Sequence, residues 1–140
     1  MEKSKEIKFR FENLDIWQKA CQIATKLFRI ADMLEEKKLY RFADQLRGAG
    51  LSMPNNIAEG SGSNSKKEFI QFLNIARRST FENASMIIMF TNEKLIKDSI
   101  KDEVVKDLDE LCRMITAFSR SLNGNSERGA LIAQSQKHGA

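Results

Sequence analysis

The sequence predicts an all-α fold, an antiparallel up-down-up-down four-helix bundle. One proline and seven glycines in 140 residues are too few for a turn-rich sheet protein. Apolar residues recur in steps of three and four along four separate stretches. Short polar connections join those stretches, which makes consecutive helices antiparallel neighbours. The bundle is expected over residues 14–122 as one domain with a single core, after a flexible segment 1–13 and before a disordered tail 123–140.

Helix one follows Asn13 or Asp15 as cap, and its stripe runs through Trp17, Ala20, Cys21, Ala24, Leu27, Phe28, Ala31 and Leu34. Ile16, Ile23 and Ile30 add a second row seven residues apart. Such a row suits either flank packing inside a bundle or an interface between subunits. Glu35-Glu36-Lys37-Lys38 forms the charged connection to helix two, which runs from Leu39 or Tyr40 to about Ala58.

Helix two contains Pro54, and the stripe Leu39, Phe42, Ala43, Leu46, Ala49, Met53 and Ile57 keeps its phase across it. A proline inside a helix donates nothing to the carbonyl four residues back and crowds it. That residue is Gly50, where no side chain adds to the crowding. Phase favours a continuous, kinked helix, and the alternative is a new helix beginning at Pro54. Gln45, Asn56, Ser79, Glu82 and Asn83 are placed to supply hydrogen bonds to backbone groups freed there, with Asn56 and Glu59 fixing one packing register.

Gly60-Ser61-Gly62-Ser63-Asn64 makes the next turn, and Ser65-Lys66-Lys67-Glu68 reads as a capping box that starts helix three. Its stripe is Phe69, Phe72, Leu73, Ala76, Thr80, Asn83, Ile87 and Phe90. From Ala84 to Phe90 it is apolar nearly all round, which predicts burial on more than one side. Asp98 or Ser99 caps helix four, whose row of Val104, Leu108, Leu111, Ile115, Phe118 and Leu122 faces away from a charged surface.

Few functions beyond binding are open to this chain. The one histidine, His138, lies in the expected tail, so metal clusters and histidine-based catalysis have no donors in the helical body. Cys21 and Cys112 have no CxxC or Cys/His companions and read as free thiols. Glu59 and Glu82 form a conceivable carboxylate pair, but without a substrate pocket in view. No enzyme activity, cofactor, metal or small-molecule substrate is expected. No apolar run approaches the roughly 20 residues of a membrane span, and the N-terminus leads into no signal-peptide core, so a cytoplasmic protein is expected.

The formal charge is +4 and the pI about 9.1, which permits a nucleic-acid partner. Lys66, Lys67, Arg77 and Arg78 fall on helix three, Arg47 on helix two before the proline, and Lys37, Lys38 and Arg41 near the start of helix two. Such side chains contact phosphates, whereas a plain solvated face is the alternative.

The run Ser52-Met53-Pro54-x-Asn56-Ile57-Ala58-Glu59-Gly60 resembles the S-[IV]-P-x-N-I-A-E-G signature of the bacterial four helix bundle protein family, which includes proteins encoded in intervening sequences of 23S ribosomal RNA genes. Phe11-x-x-Leu14-x-Ile16-Trp17, Gln45-Leu46-Arg47 and Phe69-x-x-Phe72-Leu73-x-Ile75-Ala76-Arg77-Arg78-Ser79-Thr80-x-Glu82 also match in order. The resemblance implies a homopentamer with a basic surface, which turns the Ile16, Ile23 and Ile30 row towards an interface. It also implies RNA or a ribonucleoprotein as partner, since the family is similar in architecture to accessory proteins of diversity-generating retroelements, which bind a reverse transcriptase. On that reading Arg47, Lys66, Lys67, Arg77 and Arg78 dock RNA electrostatically. The alternative is a protein-binding scaffold whose charges only keep it soluble.

Overall fold

The computed structural model describes the backbone of residues 6–137 and the side chains of residues 6–124. A short 3-10 turn, Arg10–Asn13, precedes four helices: α1 (Asp15–Glu36), α2 (Tyr40–Ser61), α3 (Lys66–Asn92) and α4 (Asp98–Lys137). Each helix packs on the next and α4 closes back on α1, the antiparallel ring of an up-down-up-down bundle. Contacts that climb one helix descend its neighbour: Ala49 meets Asn83 while Gly60 meets Phe69 and Phe72.

The core is the sum of the four inward stripes, with Ile23, Leu27, Leu46, Met53, Ile57, Leu73, Ile87, Leu108 and Leu111 almost fully enclosed. Each such side chain contributes roughly 1.5–3 kcal/mol by leaving water. The row proposed as an oligomer interface belongs to this core: Ile16, Ile23 and Ile30 are at most 4% exposed within a single chain. Ala20, Ala24, Leu27, Ala31 and Leu34 of the main stripe are buried with it, so the two rows form one wide face. Because α1 packs against α2 on one side and α4 on the other, the isoleucines sit at mid-face. Trp17, Cys21 and Phe28 lie half-buried at its margin.

The segment before α1 lies against the bundle. Phe9 stacks on Phe11 at 5.6 Å, Phe11 tilts against Trp17 at 5.0 Å, and the Arg10 guanidinium donates to the Ser61 carbonyl. Neither Asn13 nor Asp15 caps α1. Leu14 occupies that position with no side-chain bond. At the other end, α4 runs on to Lys137, past the point near residue 123 where the apolar pattern ends. Ala130, Leu131, Ala133, Gln134 and Gln136 favour helix whether or not they pack, which an apolar stripe cannot reveal. His138 lies outside the described residues.

α2 runs unbroken through Pro54, so the alternative of a new helix at the proline does not hold. Asn83 of α3, fully buried, donates its amide to the Ala49 carbonyl at 2.9 Å and to the Ser79 carbonyl of its own helix at 2.8 Å. Asn56 donates to the Ser52 carbonyl at 2.7 Å, and the Ser52 and Ser79 hydroxyls are 2.8 Å apart. Asn83 and Asn56 thus bond the carbonyls of Ala49 and Ser52 near the proline, whereas among the described residues no side chain bonds the Gly50 carbonyl that lacks the Pro54 donor. Gln45 and Glu82 take no part: both are exposed and make no such bond.

Ser65 caps α3, accepting from the Glu68 amide at 3.1 Å. The α1–α2 and α3–α4 turns share a device: Lys38 and Lys94 adopt φ of 64° and 60°, and the next amide reaches back to Leu34 and Phe90 respectively. In the half of α3 expected to be buried on more than one side, Ile88 and Met89 face outward from this chain.

Candidate nucleic-acid interface

Most basic side chains of α1 and α4 are occupied by carboxylates. Lys26 bridges Asp107 at 2.7 Å and Glu103 at 2.8 Å, and Lys19 bridges Glu110 at 3.1 Å and Asp107 at 3.3 Å. The hydrogen bond that Lys19 donates to Glu110 raises the Lys19 pKa above its ordinary value against the opposing effect of burial, and the one Lys26 donates to Asp107 does the same for Lys26. Burial pushes the Asp107 carboxyl up, but the hydrogen bonds from Lys26 and Lys19 outweigh it and hold its pKa below the usual range. This network ties the first helix to the last.

Arg47 is occupied in the same way, which removes it from the phosphate-binding set the sequence proposed. Its guanidinium reaches Asp32 and Glu35, both at 2.9 Å, with Asp44 at 3.5 Å. The Arg47 hydrogen bond, assisted by Arg29, holds the Asp32 carboxyl below its ordinary pKa. The sequence could not show this, because the partners come from the neighbouring helix.

The other four proposed residues are different. Lys66 and Lys67 occupy the first turn of α3, where the helix dipole disfavours cations, and both are exposed without a carboxylate partner. Arg77 and Arg78 follow three turns later, about 16 Å along the axis and nearly in line with the lysines. Arg78 is exposed and unpaired. Arg77 is held by neutral groups: its Nε donates to Thr116 Oγ1 at 3.0 Å, and its guanidinium carbon lies 5.5 Å from the centre of the Phe81 ring.

A cleft of about 490 Å³ opens between α3 and α4 beside Arg77. Arg120 lines it from α4, with Gln71, Asn74, Thr116 and Ser119 as neutral polar groups, and no carboxylate. Sequence reasoning missed Arg120, which stands alone on its helix. The signal is the antiparallel pairing of α3 and α4, which sets residue 116 beside 77 and therefore 120 one turn beyond. Among the described residues Arg120 has no hydrogen-bond or ion-pair partner.

Among the described residues, no group of three or more His, Cys, Asp or Glu side chains is placed to hold a metal ion. Glu59 and Glu82 are both exposed and share no hydrogen bond or ion pair. No helix among the described residues is long and apolar enough to cross a membrane.

The chain was compared with known proteins. The model of the 23S rRNA-intervening sequence protein family matches residues 12–117. Among solved structures, a protein of unknown function from the S23 ribosomal protein family of Bacteroides thetaiotaomicron superimposes with a TM-score of 0.72 at 21% identity, covering 75% of this chain and 98% of that one. That likeness speaks for the fold. No curated protein matches the chain.

Proposed function

Because this chain belongs to the 23S rRNA-intervening sequence protein family, we propose that it is a non-catalytic, cytoplasmic RNA-binding bundle that docks phosphates on the outer face of α3 and the adjoining side of α4. The observation that carries the reading is the segregation of charge. Among the described residues, Lys19, Lys26, Arg29, Arg47, Lys101 and Arg113 are ion-paired, whereas Lys66, Lys67, Arg77, Arg78 and Arg120 have no carboxylate partner; Lys8 and Lys106 are also unpaired, Lys106 on a face it shares with Asp102 and Asp109. The unpaired cations at the opposite end, Lys38, Arg41, Lys94 and Lys97, are interleaved with Glu35, Glu36, Glu93 and Asp98, which makes that end mixed in sign.

Five phosphate contacts on a single strand predict that log K falls with log salt at a slope of about −3.5. Fluorescence anisotropy with RNA at several salt concentrations measures this. Lys66→Gln with Lys67→Gln and Arg78→Gln should flatten the slope, and Arg47→Gln should leave it unchanged. Equal binding by all variants would refute the assignment.

Self-association belongs to the same proposal, with five copies as the number the family resemblance implies and a ribonucleoprotein such as a reverse transcriptase as a possible larger partner. What supports assembly is the second half of α3, where Phe81, Ile88 and Met89 are 58, 42 and 56% exposed. This stretch replaces the buried isoleucine row as the candidate contact. Light scattering of an Ile88→Glu, Met89→Glu variant tests it, with a smaller particle expected. The second reading, a protein scaffold without RNA, draws on these same exposed side chains and predicts assembly with no RNA binding.

A further inference from the structure

The cleft between α3 and α4 combines three properties that a plain solvated face lacks. First, its cations are unneutralised among the described residues, since Arg77 and Arg120 line it and no described carboxylate does. Second, Arg77 is oriented before any ligand arrives. Thr116 spends its hydroxyl hydrogen on the Cys112 carbonyl at 2.9 Å and accepts Arg77 Nε with a lone pair, while the Phe81 ring backs the guanidinium. Only the two terminal amino groups of Arg77 remain, and they make no bond within the protein. A planar fork of that kind matches two oxygens of one phosphate. Third, the floor is apolar, formed by Leu73 and Ile115, with Ile70 on the wall.

We propose that this cleft seats one phosphodiester of a single RNA strand, Arg77 and Arg120 holding its non-bridging oxygens while the attached ribose and base lie against Ile70. The inference rests on the RNA reading above and narrows it to unpaired strand. A recess of about 490 Å³ is the size of a pocket for a small ligand. A duplex presents its phosphates on a rigid convex rod, which rests on the rim and does not enter. A single strand turns one nucleotide inward at little conformational cost.

The test compares a labelled oligouridylate of about eight nucleotides with a duplex of equal length, by anisotropy at two salt concentrations. Arg120→Gln removes one exposed cation that makes no hydrogen bond or ion pair among the described residues, so the fold should hold. Arg77→Lys keeps the charge and discards the fork. Each should weaken the single strand about tenfold. Arg120→Gln should also flatten the single-strand salt slope by about 0.7. Duplex binding should change little with either. If both variants bind the single strand as the unaltered protein does, while loss of Lys66, Lys67 and Arg78 abolishes binding, the cleft is refuted and the surface reading stands. If the unaltered protein binds neither RNA, both fall together.

Discussion

Gly60 closes the Asn-Ile-Ala-Glu-Gly run, and the structure gives a steric reason for a glycine there. A Cβ at residue 60 would lie 2.8 Å from Phe69 Cδ1 and 2.8 Å from Phe72 Cβ, against an ordinary carbon–carbon contact of roughly 3.5–4.0 Å. The Phe69 ring has little room to yield, because it packs edge-on to Phe118 at 5.5 Å. Phe72 Cβ is fixed to the α3 backbone and cannot yield by rotation, so the two helices must part. Overpacking of this kind costs about 1–3 kcal/mol, of which the better helix propensity of alanine returns up to about 1 kcal/mol. Gly60→Ala should therefore destabilise by about 1–2 kcal/mol. Gly48, on the same helix, supplies the control: nothing lies within 4 Å of its would-be Cβ. Gly48→Ala should stabilise by about 0.5–1 kcal/mol through propensity alone. Urea unfolding followed by far-UV circular dichroism measures both, and their midpoints should move in opposite directions. Equal shifts, or a Gly60→Ala protein more stable than its parent, would refute the close α2–α3 approach.

Three further outcomes follow from named contacts. Asn83→Ala strips the donor from the buried Ala49 carbonyl and should cost about 1–3 kcal/mol in the same assay. Lys94→Gly relieves a left-handed backbone at φ 60° and should raise the urea midpoint, by about 1 kcal/mol of stability. Asp107 has a folded pKa below its ordinary 3.8, so its stabilisation is complete well above that pH and disappears as the pH falls through the folded value. Thermal midpoints should therefore drop below about pH 4, and less steeply in Asp107→Asn. At the alkaline end, the raised pKa values of Lys19 and Lys26 predict stability held up to pH 10.5 and lost above it.

The four helices were legible because each stripe is local: residues three and four apart on one helix share a face whatever surrounds them. Pro54 was legible for the same reason, its stripe keeping phase through the residue that should have broken it. Facts between helices were much less so. Arg47 and Arg77 look equivalent in the sequence, yet one lies among carboxylates of α1 while the other lies against a threonine and a phenylalanine. Ile23 and Met89 were both candidates for burial between subunits, and only the packing of α1 between two neighbours places the first in the core and leaves the second outside. Arg120 acquires meaning only from the cleft it borders.

The amide of Asn83 also governs which arrangement of the bundle is the right one. Stripes of leucine, isoleucine and alanine are forgiving: two such helices can slide by a turn and still bury nearly the same area, so apolar packing alone distinguishes poorly between neighbouring alignments. Here a slide would at once break the Asn83–Ala49 bond and part the Ser52 and Ser79 hydroxyls, a penalty that falls on every alignment but one. The polar contacts beside the proline thus act as an address: Asn83 on the Ala49 carbonyl and Ser79 on Ser52 mark the point along α2 where α3 docks, in a seam that is otherwise apolar.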